Sequence, residues 1–366
     1  MISIFLPSLH GGGAERAMVN FAREISGRGW RVDLVVANAV GALRPLVPES
    51  VKLVDLRAQR MLSAAPRLVR YLRRERPQAL FATITHANIT AAIAARMSRC
   101  AGPLVLRQSN APMAECKDSL GRRLAHFLLP RTYLLSDRVI AVSQGVADQL
   151  TQMDSALARK ITVLPTPVLS SDIVGQGEEE PGHSWLAPGE PPVVLAAGRL
   201  MQHKGFETLL EAFLLVRRSR PARLIIIGEG IYRPQLEKKI AALGLERQVD
   251  LPGFKRNPFA FMNRAGCFVL ASEYEGLPNV LIQAMAFGTP VVSTDCESGP
   301  CEILEGGRLG KLVPIGDARA MAQAISESLD LPRQVEAQES VQRRFSIAEA
   351  STAYLALAGL APRGAR

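Results

Sequence analysis

The sequence predicts an α/β protein that is built from two doubly wound, parallel-sheet domains. Short apolar runs alternate with segments of helical periodicity, and this alternation occurs twice, once on either side of a polar stretch. Alternating strands and helices form parallel sheets with helices on both faces. The length of 366 residues agrees with two domains, because a single core stops growing below about 300 residues.

The first half begins with a strand at 2–6, a glycine turn at 10–13 and a helix at 14–28. Apolar residues in that helix recur at the three- and four-residue spacing of one helical face. Further strands, with helices between them, are predicted at 31–36, 79–83, 104–107, 138–141 and 161–164. This order predicts a first Rossmann-like domain over 1–167.

Serine, glycine, proline and acidic residues predominate over 168–191, which is typical of a linker or surface loop. The alternation of strands and helices restarts at Pro192, so we expect a second domain over 192–335 and a helical tail over 336–366. Strands of the second domain are predicted at 193–197, 223–227, 249–251, 267–270 and 289–293. Its helices are predicted at 206–217, 232–243, 258–264 and 318–329.

The chain has 44 basic and 34 acidic residues, a net charge of +10. Phosphates, nucleic acid or an anionic membrane are therefore plausible partners. The aromatic fraction of only 5% and the lack of an RRM, KH or helix-turn-helix pattern argue against nucleic acid. The five cysteines form no C-x-x-C pair and predict reduced thiols in a cytoplasmic protein. They are Cys100, Cys116, Cys267, Cys296 and Cys301.

We expect any membrane contact of the chain to be peripheral. The first residues run directly into a strand and a glycine loop, which is not the pattern of a signal peptide. No apolar run reaches the roughly 18 residues of a membrane-spanning helix.

The stretch 271–304 predicts the principal ligand site. Two strands lead into two polar loops, the first with Glu275 and the second with Ser298, and Asn279 can cap a helix between them that includes Gln283. Parallel sheets bind ligands at the carboxyl ends of their strands, and helix N-termini attract phosphate. We therefore expect a phosphorylated ligand that also carries hydroxyl groups.

Two further motifs also indicate phosphate binding. Gly11–Gly13 follows the first strand and opens the first helix, where backbone N–H groups can meet a diphosphate. It does not fit G-x-G-x-x-G, so it does not predict a nicotinamide cofactor. In the second half, Arg199 and Lys204 lie five residues apart in one loop, where a guanidinium fork and a point charge can converge on one phosphate.

Five motifs of the chain, taken in order, resemble those of a known enzyme family. They are GGGAERA, GRLMQHKGFETLLEAF, GEG, EGLPNVLIQAMAFGTPVV and SGPCEIL. They are similar to retaining glycosyltransferases of the GT4 type, also called glycosyl transferases group 1. The resemblance covers nearly the whole chain. It implies the GT-B fold, in which two Rossmann-like domains face a central cleft. The C-terminal domain would bind a nucleotide-activated sugar and the N-terminal domain the acceptor.

The resemblance also implies roles for individual residues. Arg199, Lys204 and Glu275 would be catalytic, the first two at the donor diphosphate and the third, the first glutamate of an E-x7-E motif, at the donor sugar. The second glutamate of that motif is replaced by Gln283, whose amide can still bind ribose hydroxyls, so we expect activity to survive. The implied donor-binding residues are Gly12, Gly13, Gly228, Glu229, Phe254, Gly276, Leu277, Pro278, Asn279, Gln283 and Ser298.

The implied reaction needs no cofactor. Arg199 and Lys204 would stabilise the charge that develops on the departing nucleoside diphosphate. A donor phosphate oxygen would take the proton of the acceptor. The chain contains no D-x-D pair, so no metal is expected. The SGPCEIL loop resembles that of transferases which move galactose or N-acetylhexosamine from UDP in surface glycan biosynthesis, such as that of lipopolysaccharide.

Family precedent implies a polyprenyl-diphosphate-linked glycan as acceptor, at the inner face of the cytoplasmic membrane. Two basic, amphipathic segments, 60–76 and 122–135, could dock on anionic lipid. Alternatively, their apolar faces pack against their own sheet. His86, Arg107 and Asn110 follow strands of the first domain and are candidates for acceptor contacts.

Two other functions remain open from the sequence. A GT-B-fold sugar-nucleotide epimerase would have the same layout but would need an acid/base pair beside the sugar, and none is evident near Glu275. A non-catalytic nucleotide-sugar-binding homologue is suggested only by Gln283. Epimerised UDP-sugar formed without acceptor would support the first, and UDP binding without turnover the second.

Overall fold

The computed structural model describes residues 1–112 and 120–360. These residues form two compact units, one made of 1–168 with the C-terminal segment from 347 onward, and one made of 169–346. Cys116 lies outside the described residues, as do the side chains of 122–126 in the second amphipathic segment.

Parallel strands form the centre of the first unit. The described part of this unit has a seven-stranded sheet in the order β3-β2-β1-β4-β5-β6-β7, in which Ile4 pairs with Leu34 on one side and Phe81 on the other. The central strands are buried on both faces, as expected for a sheet covered by helices. The elements are β1 Ile2–Leu6, α1 Gly13–Gly27, β2 Val32–Val36, β3 Val51–Asp55, α2 Met61–Glu75, β4 Ala79–Thr83, α3 Thr85–Ser98, β5 Leu104–Gln108, α4 Leu120–Tyr133, β6 Arg138–Ala141, α5 Gln144–Met153 and β7 Ile161–Val163.

The second unit repeats this architecture. Its described residues form a six-stranded parallel sheet in the order β10-β9-β8-β11-β12-β13, in which Phe268 pairs with Leu195 and with Val291. The elements are α6 Ile173–Glu178, β8 Val193–Ala197, α7 Phe206–Ser219, β9 Arg223–Ile227, α8 Arg233–Ala242, β10 Val249–Asp250, α9 Phe259–Arg264, β11 Cys267–Leu270, α10 Asn279–Met285, β12 Val291–Thr294, α11 Pro300–Ile303, β13 Lys311–Val313, α12 Ala318–Ser328 and α13 Val335–Arg344.

The last helix, α14 Ile347–Leu357, returns to the first unit and packs against α1. Tyr354 is fully buried against Phe21, with ring centroids 5.3 Å apart. Arg28 donates to the Thr352 hydroxyl at 2.7 Å. The predicted tail over 336–366 is therefore divided between the units, with α13 in the second and α14 in the first.

The segment 168–191, predicted as a linker, is instead part of the second unit from Leu169 onward. It contains α6, and its apolar residues Ile173 and Leu186 are buried. The average composition of the segment is polar, so it gave no indication of these two buried residues. Asn257 donates to the Gln176 carbonyl oxygen at 2.7 Å. These contacts fix the segment to the region around α9.

The two segments predicted to dock on a membrane differ in the structure. In α2, Leu68, Val69 and Leu72 are at most 7% exposed, so its apolar stripe packs inward and its arginines lie on the surface. The membrane prediction is thus wrong for the apolar face of this segment. In α4, Phe127 remains 58% exposed and Leu128 39% exposed. In the part of the chain that the structure describes, no helix has the length and apolar character to cross a membrane.

Candidate active site

Four loops of the second unit follow the carboxyl ends of β8, β9, β11 and β12 and contain most of the predicted donor-site residues. Strands β9, β8, β11 and β12 are neighbours in this parallel sheet, so the loops emerge along one edge. That edge is where open α/β sheets bind ligands.

The loops after β8 and β11 touch directly. Gly205 has a φ of +64°, and a Cβ on it would lie 1.9 Å from the Ala271 carbonyl oxygen. Only glycine permits both this left-handed conformation and so close an approach. The Glu273 N–H donates to the His203 carbonyl oxygen at 2.8 Å, and the His203 and Tyr274 rings stack with centroids 4.6 Å apart. The loop with Lys204 is thereby held against the loop with Glu275.

Lys204 and Glu275 form an ion pair, with Nζ 2.6 Å from Oε1. Their side chains are 21% and 12% exposed, so water screens the pair only partly. The sequence predicts Lys204 at a phosphate and Glu275 at a sugar, and the structure joins the two residues. An ammonium group has three donors, so Lys204 keeps hydrogen-bonding capacity for a ligand.

Three buried hydroxyl groups support the Glu275 loop. Ser272 Oγ donates to Glu275 Oε1 at 2.7 Å, and Ser298 Oγ donates to the Glu275 carbonyl oxygen at 2.6 Å. Thr294 Oγ1 donates to the Ser272 carbonyl oxygen at 2.6 Å. Burial together with the neighbouring Glu275 carboxylate raises the pKa of the Cys296 thiol to about 12.

Ser298 thus makes a contact that the sequence did not predict, because its hydroxyl donates to the backbone of the Glu275 loop. Gly299 in the same loop has a φ of +89°, and a Cβ on it would lie 2.8 Å from the Gly276 carbonyl oxygen and from Pro278 Cδ. The loop after β12 thus lies directly on 276–278. Asn279 is the first residue of α10 rather than its cap, which is Pro278, and α10 has only seven residues.

Two polar side chains of the site have no protein partner in the described part of the chain. Arg199 is exposed and forms no hydrogen bond or ion pair with any described residue. Gln283 is only 5% exposed, and its amide likewise forms no hydrogen bond to a described residue. The Gln283 amide can therefore donate and accept hydrogen bonds with a ligand.

The loop after β9 is shaped by close backbone contact and a local ion pair. Gly228 has a φ of +141°, and a Cβ there would lie 1.9 Å from the Gly198 carbonyl oxygen. The Glu229 carboxylate accepts from Arg233 at 2.6 and 3.0 Å, and this pairing lowers the Glu229 pKa. Glu229, one of the predicted donor-binding residues, is thus held by α8, and Phe254, another of them, is 48% exposed.

In the first unit, Arg107 has a structural role rather than the predicted acceptor contact. It is 2% exposed and donates to Tyr354 Oη at 3.1 Å, Thr83 Oγ1 at 3.2 Å and Thr166 Oγ1 at 2.8 Å. A ligand could not reach this guanidinium. Its bonds instead fix α14 to the sheet.

The other predicted residues of the first unit lie in loops or at helix starts. Gly12 is the N-cap of α1, without a side-chain cap, and Gly13 is its first residue. His86 is exposed in the first turn of α3, and Asn110 is exposed after β5. The Asn110 carbonyl oxygen accepts from Gln108 Nε2 at 2.8 Å.

Sequence reasoning missed Ser272 and Thr294. The available signal was the spacing in Ser272-Glu-Tyr-Glu275, which places a hydroxyl three residues before the carboxylate. Such side chains can meet within one tight loop. The contribution of Thr294 comes from a different strand, so local spacing contains no signal for it.

Comparison with known proteins agrees with the observed fold. Residues 11–169 match the model of Glycosyltransferase Family 4, and residues 191–330 match the model of Glycosyl transferases group 1. The fold resembles that of HepE from Anabaena in a crystal structure with UDP and glucose, with a TM-score of 0.81, 22% identity, and coverage of 98% of this chain and 99% of that one. The predicted α/β fold with two Rossmann-like, parallel-sheet domains is confirmed.

Two curated relatives have informative names. The chain is 31% identical to the lipopolysaccharide core biosynthesis glycosyltransferase LpsE of Rhizobium meliloti over 62% of this chain and 65% of the relative. It is 29% identical to N-acetylgalactosamine-N,N'-diacetylbacillosaminyl-diphospho-undecaprenol 4-alpha-N-acetylgalactosaminyltransferase of Campylobacter jejuni, over 65% of this chain and 64% of the relative. The matches thus span less than two thirds of the length of these relatives. Because the two matched models cover most of the chain, it belongs to the GT4-type glycosyltransferases of the GT-B fold.

Proposed function

We propose that this protein is a retaining, metal-independent glycosyltransferase that moves a hexose or N-acetylhexosamine from a UDP-sugar to a polyprenyl-diphosphate-linked saccharide in surface glycan biosynthesis. The observation that supports this most is the grouping of Lys204, Glu275 and unpartnered Gln283 on the loops and helix that follow neighbouring strands. Cationic, carboxylate and amide groups match the diphosphate and hydroxyl groups of a nucleotide sugar.

The proposed mechanism depends on charge. Arg199, whose guanidinium is exposed, and Lys204 bind the donor diphosphate and stabilise the charge that develops as the glycosidic bond breaks. Glu275 accepts hydrogen bonds from the donor sugar. The acceptor hydroxyl attacks from the face of the departing diphosphate, and a phosphate oxygen takes its proton, so no protein nucleophile is required.

The names of relatives support the donor and acceptor classes. UDP and glucose are bound in the HepE crystal structure. The Campylobacter relative is named for a diphospho-undecaprenol acceptor, and the Rhizobium relative for lipopolysaccharide core synthesis. We extend both classes to this chain as part of the proposal.

A membrane-docking face on the first unit fits the lipid-linked acceptor. We define it as the exposed apolar side chains of α3 and α4 with the arginines beside them. Met97 and Phe127 are each 58% exposed, on helices that pack against one another. Arg96 and Arg131 are exposed on the same two helices, and Arg131 lies 4.1 Å from the Phe127 ring centroid. Exposed apolar side chains with arginines on the same helices fit an anionic membrane surface, which we propose at the cytoplasmic face of the membrane.

Vesicle co-sedimentation tests the docking face. Met97→Glu with Phe127→Glu should abolish binding to vesicles that contain anionic lipid, because the inserted apolar side chains are lost and two negative charges are added beside the arginines. Val335→Glu is the matched control, because Val335 is 60% exposed on α13 of the second unit. Undiminished sedimentation of the double variant would refute the membrane assignment without affecting the donor site.

The donor is tested by thermal denaturation with UDP, GDP, ADP and their sugar conjugates. Ligand at a hundred times its dissociation constant stabilises the native state by roughly 2.7 kcal/mol. We expect a shift with UDP and UDP-sugars, and release of UDP when a polyprenyl-linked acceptor is added. Epimerised UDP-sugar without acceptor would favour an isomerase. Binding without any turnover would favour a non-catalytic homologue.

A further inference from the structure

We propose that Ser272 is a positioning residue that orients the Glu275 carboxylate toward the donor sugar. Nothing in the motif resemblance assigns a role to this serine. The proposal rests on the proposed function, because it concerns the carboxylate that would bind the sugar.

The geometry at Glu275 is asymmetric. Lys204 Nζ and Ser272 Oγ both bond to Oε1, at 2.6 and 2.7 Å. The other oxygen, Oε2, forms no hydrogen bond to any residue within 1–112 or 120–360. With one oxygen held from two directions, the carboxylate plane is fixed and Oε2 is left for a ligand hydroxyl. A lysine alone is a flexible point charge and would not fix this plane.

Ser272 is itself held in place. It is fully buried at the end of β11, and its carbonyl oxygen accepts from the Thr294 hydroxyl of the neighbouring strand β12. Ser298 donates to the Glu275 carbonyl oxygen and fixes the backbone of the same loop. The carboxylate is therefore oriented by a short chain of hydroxyl groups that begins in the sheet. Rigid support of this kind preserves the geometry that catalytic contacts need.

The proposal predicts which kinetic constant changes. Ser272→Ala leaves the ion pair with Lys204 but lets the carboxylate rotate, so the sugar is held less well in the transition state. We expect kcat to fall by about tenfold to a hundredfold, the scale of one hydrogen bond to a charged group. Binding of UDP, which lacks the sugar, should change by less than twofold.

Ser293→Ala is the matched control. Ser293 is also fully buried, next to Thr294 on β12, but its hydroxyl donates to the Thr294 carbonyl oxygen and does not touch Glu275. Both variants lose a buried serine hydroxyl and should melt at a lower temperature, and Ser272→Ala should lose more because its partner is a charged carboxylate. Only Ser272→Ala should lower kcat, and an equal fall in both would overturn the proposal.

A double-mutant cycle with Glu275→Gln isolates the action of Ser272 through Glu275. In that background, Ser272→Ala should change kcat by less than threefold, because the oriented carboxylate is already lost. An undiminished effect would refute positioning. The same four proteins are compared by denaturant unfolding, which measures the hydrogen bond without any activity.

The two levels of inference fail separately. Absence of turnover by the wild-type protein would count against the proposed function, and the unfolding cycle would then decide whether Ser272 holds Glu275. Coupling in stability without coupling in kcat would mean that the hydrogen bond is only structural, and the positioning role would be rejected.

Discussion

The ion pair between Lys204 and Glu275 gives a prediction in which stability and catalysis can be separated. Lys204→Met removes the charge and keeps most of the aliphatic chain. Glu275, whose side chain is 12% exposed, would retain only the Ser272 hydroxyl as a side-chain donor. Loss of one hydrogen bond to a charged group costs about 1–3 kcal/mol. Since the pair is only partly buried, we expect a value in the lower half of that range.

This loss is measurable by thermal unfolding. One kcal/mol lowers Tm by roughly 2–4 °C in a domain of 150–250 residues, the size of the second unit. Turnover should fall by about a hundredfold or more, because a cationic partner of the developing diphosphate charge is lost. The assay is UDP release at saturating donor, with Tm measured in parallel.

The double variant with Glu275→Gln distinguishes the two effects. It removes the unpaired carboxylate, so Tm should recover most of what Lys204→Met lost. Turnover should remain low, because neither the cation nor the carboxylate is restored. Recovery of turnover together with Tm would refute the phosphate role of Lys204 and would mean that the lysine only neutralises Glu275.

Three further predictions test other parts of the structure. Gly228→Ala should lower the free energy of unfolding by more than about 2 kcal/mol in urea, because its Cβ would lie 1.9 Å from a carbonyl oxygen. Gly244→Ala, which has open space at a φ of +67°, should lower it by only about 1 kcal/mol of backbone strain. Equal losses in the two variants would refute the steric argument. Arg107→Leu should destabilise the first unit by roughly 3 kcal/mol, because the buried hydroxyl groups that it contacts lose their partner. The folded variant should keep the KM of the wild type for the acceptor. A raised KM with unchanged stability would support the predicted acceptor contact instead. Alkylation of the native protein at pH 8, followed by peptide mapping, should label the exposed Cys301 rapidly. Cys296 should remain unlabelled, because it is buried and its pKa is raised to about 12. Rapid labelling of Cys296 would contradict its burial.

The fold was largely predictable because its central strands are buried on both faces. Such strands are continuous apolar runs, as at 79–83 and 223–227, and both were predicted within a residue of their observed bounds. The strands β3 and β13 were missed. Both lie at sheet edges and are partly exposed, so their sequences lack a continuous apolar run.

The positions of the loops of the candidate site were predictable from the sequence, but the contacts between these loops were not. Glycines and charged residues after predicted strands indicated where ligand-binding loops lie. The pairing of Lys204 with Glu275 joins residues that are 71 positions apart and depends on the backbone contact at Gly205. Arg107 was misassigned for a related reason, since the tyrosine that it contacts lies 247 positions away, on α14.

The replacement of a family glutamate by Gln283 is consistent with an active donor site when the charges of the site are considered together. Arg199 and Lys204 contribute two positive charges and Glu275 one negative charge, which leaves a net +1 with a neutral amide at position 283. A glutamate there would reduce this sum to zero and would place a carboxylate where the side chain is only 5% exposed. Desolvation would raise the pKa of that carboxyl group and destabilise its charged form. The amide avoids this cost, and in the proposed donor complex it would offer a donor and an acceptor to the ribose hydroxyls and leave excess positive charge for the diphosphate. If Gln283 binds the nucleotide portion of the donor as proposed, Gln283→Glu should weaken UDP binding in the thermal-denaturation assay, and tighter binding by that variant would contradict the charge argument.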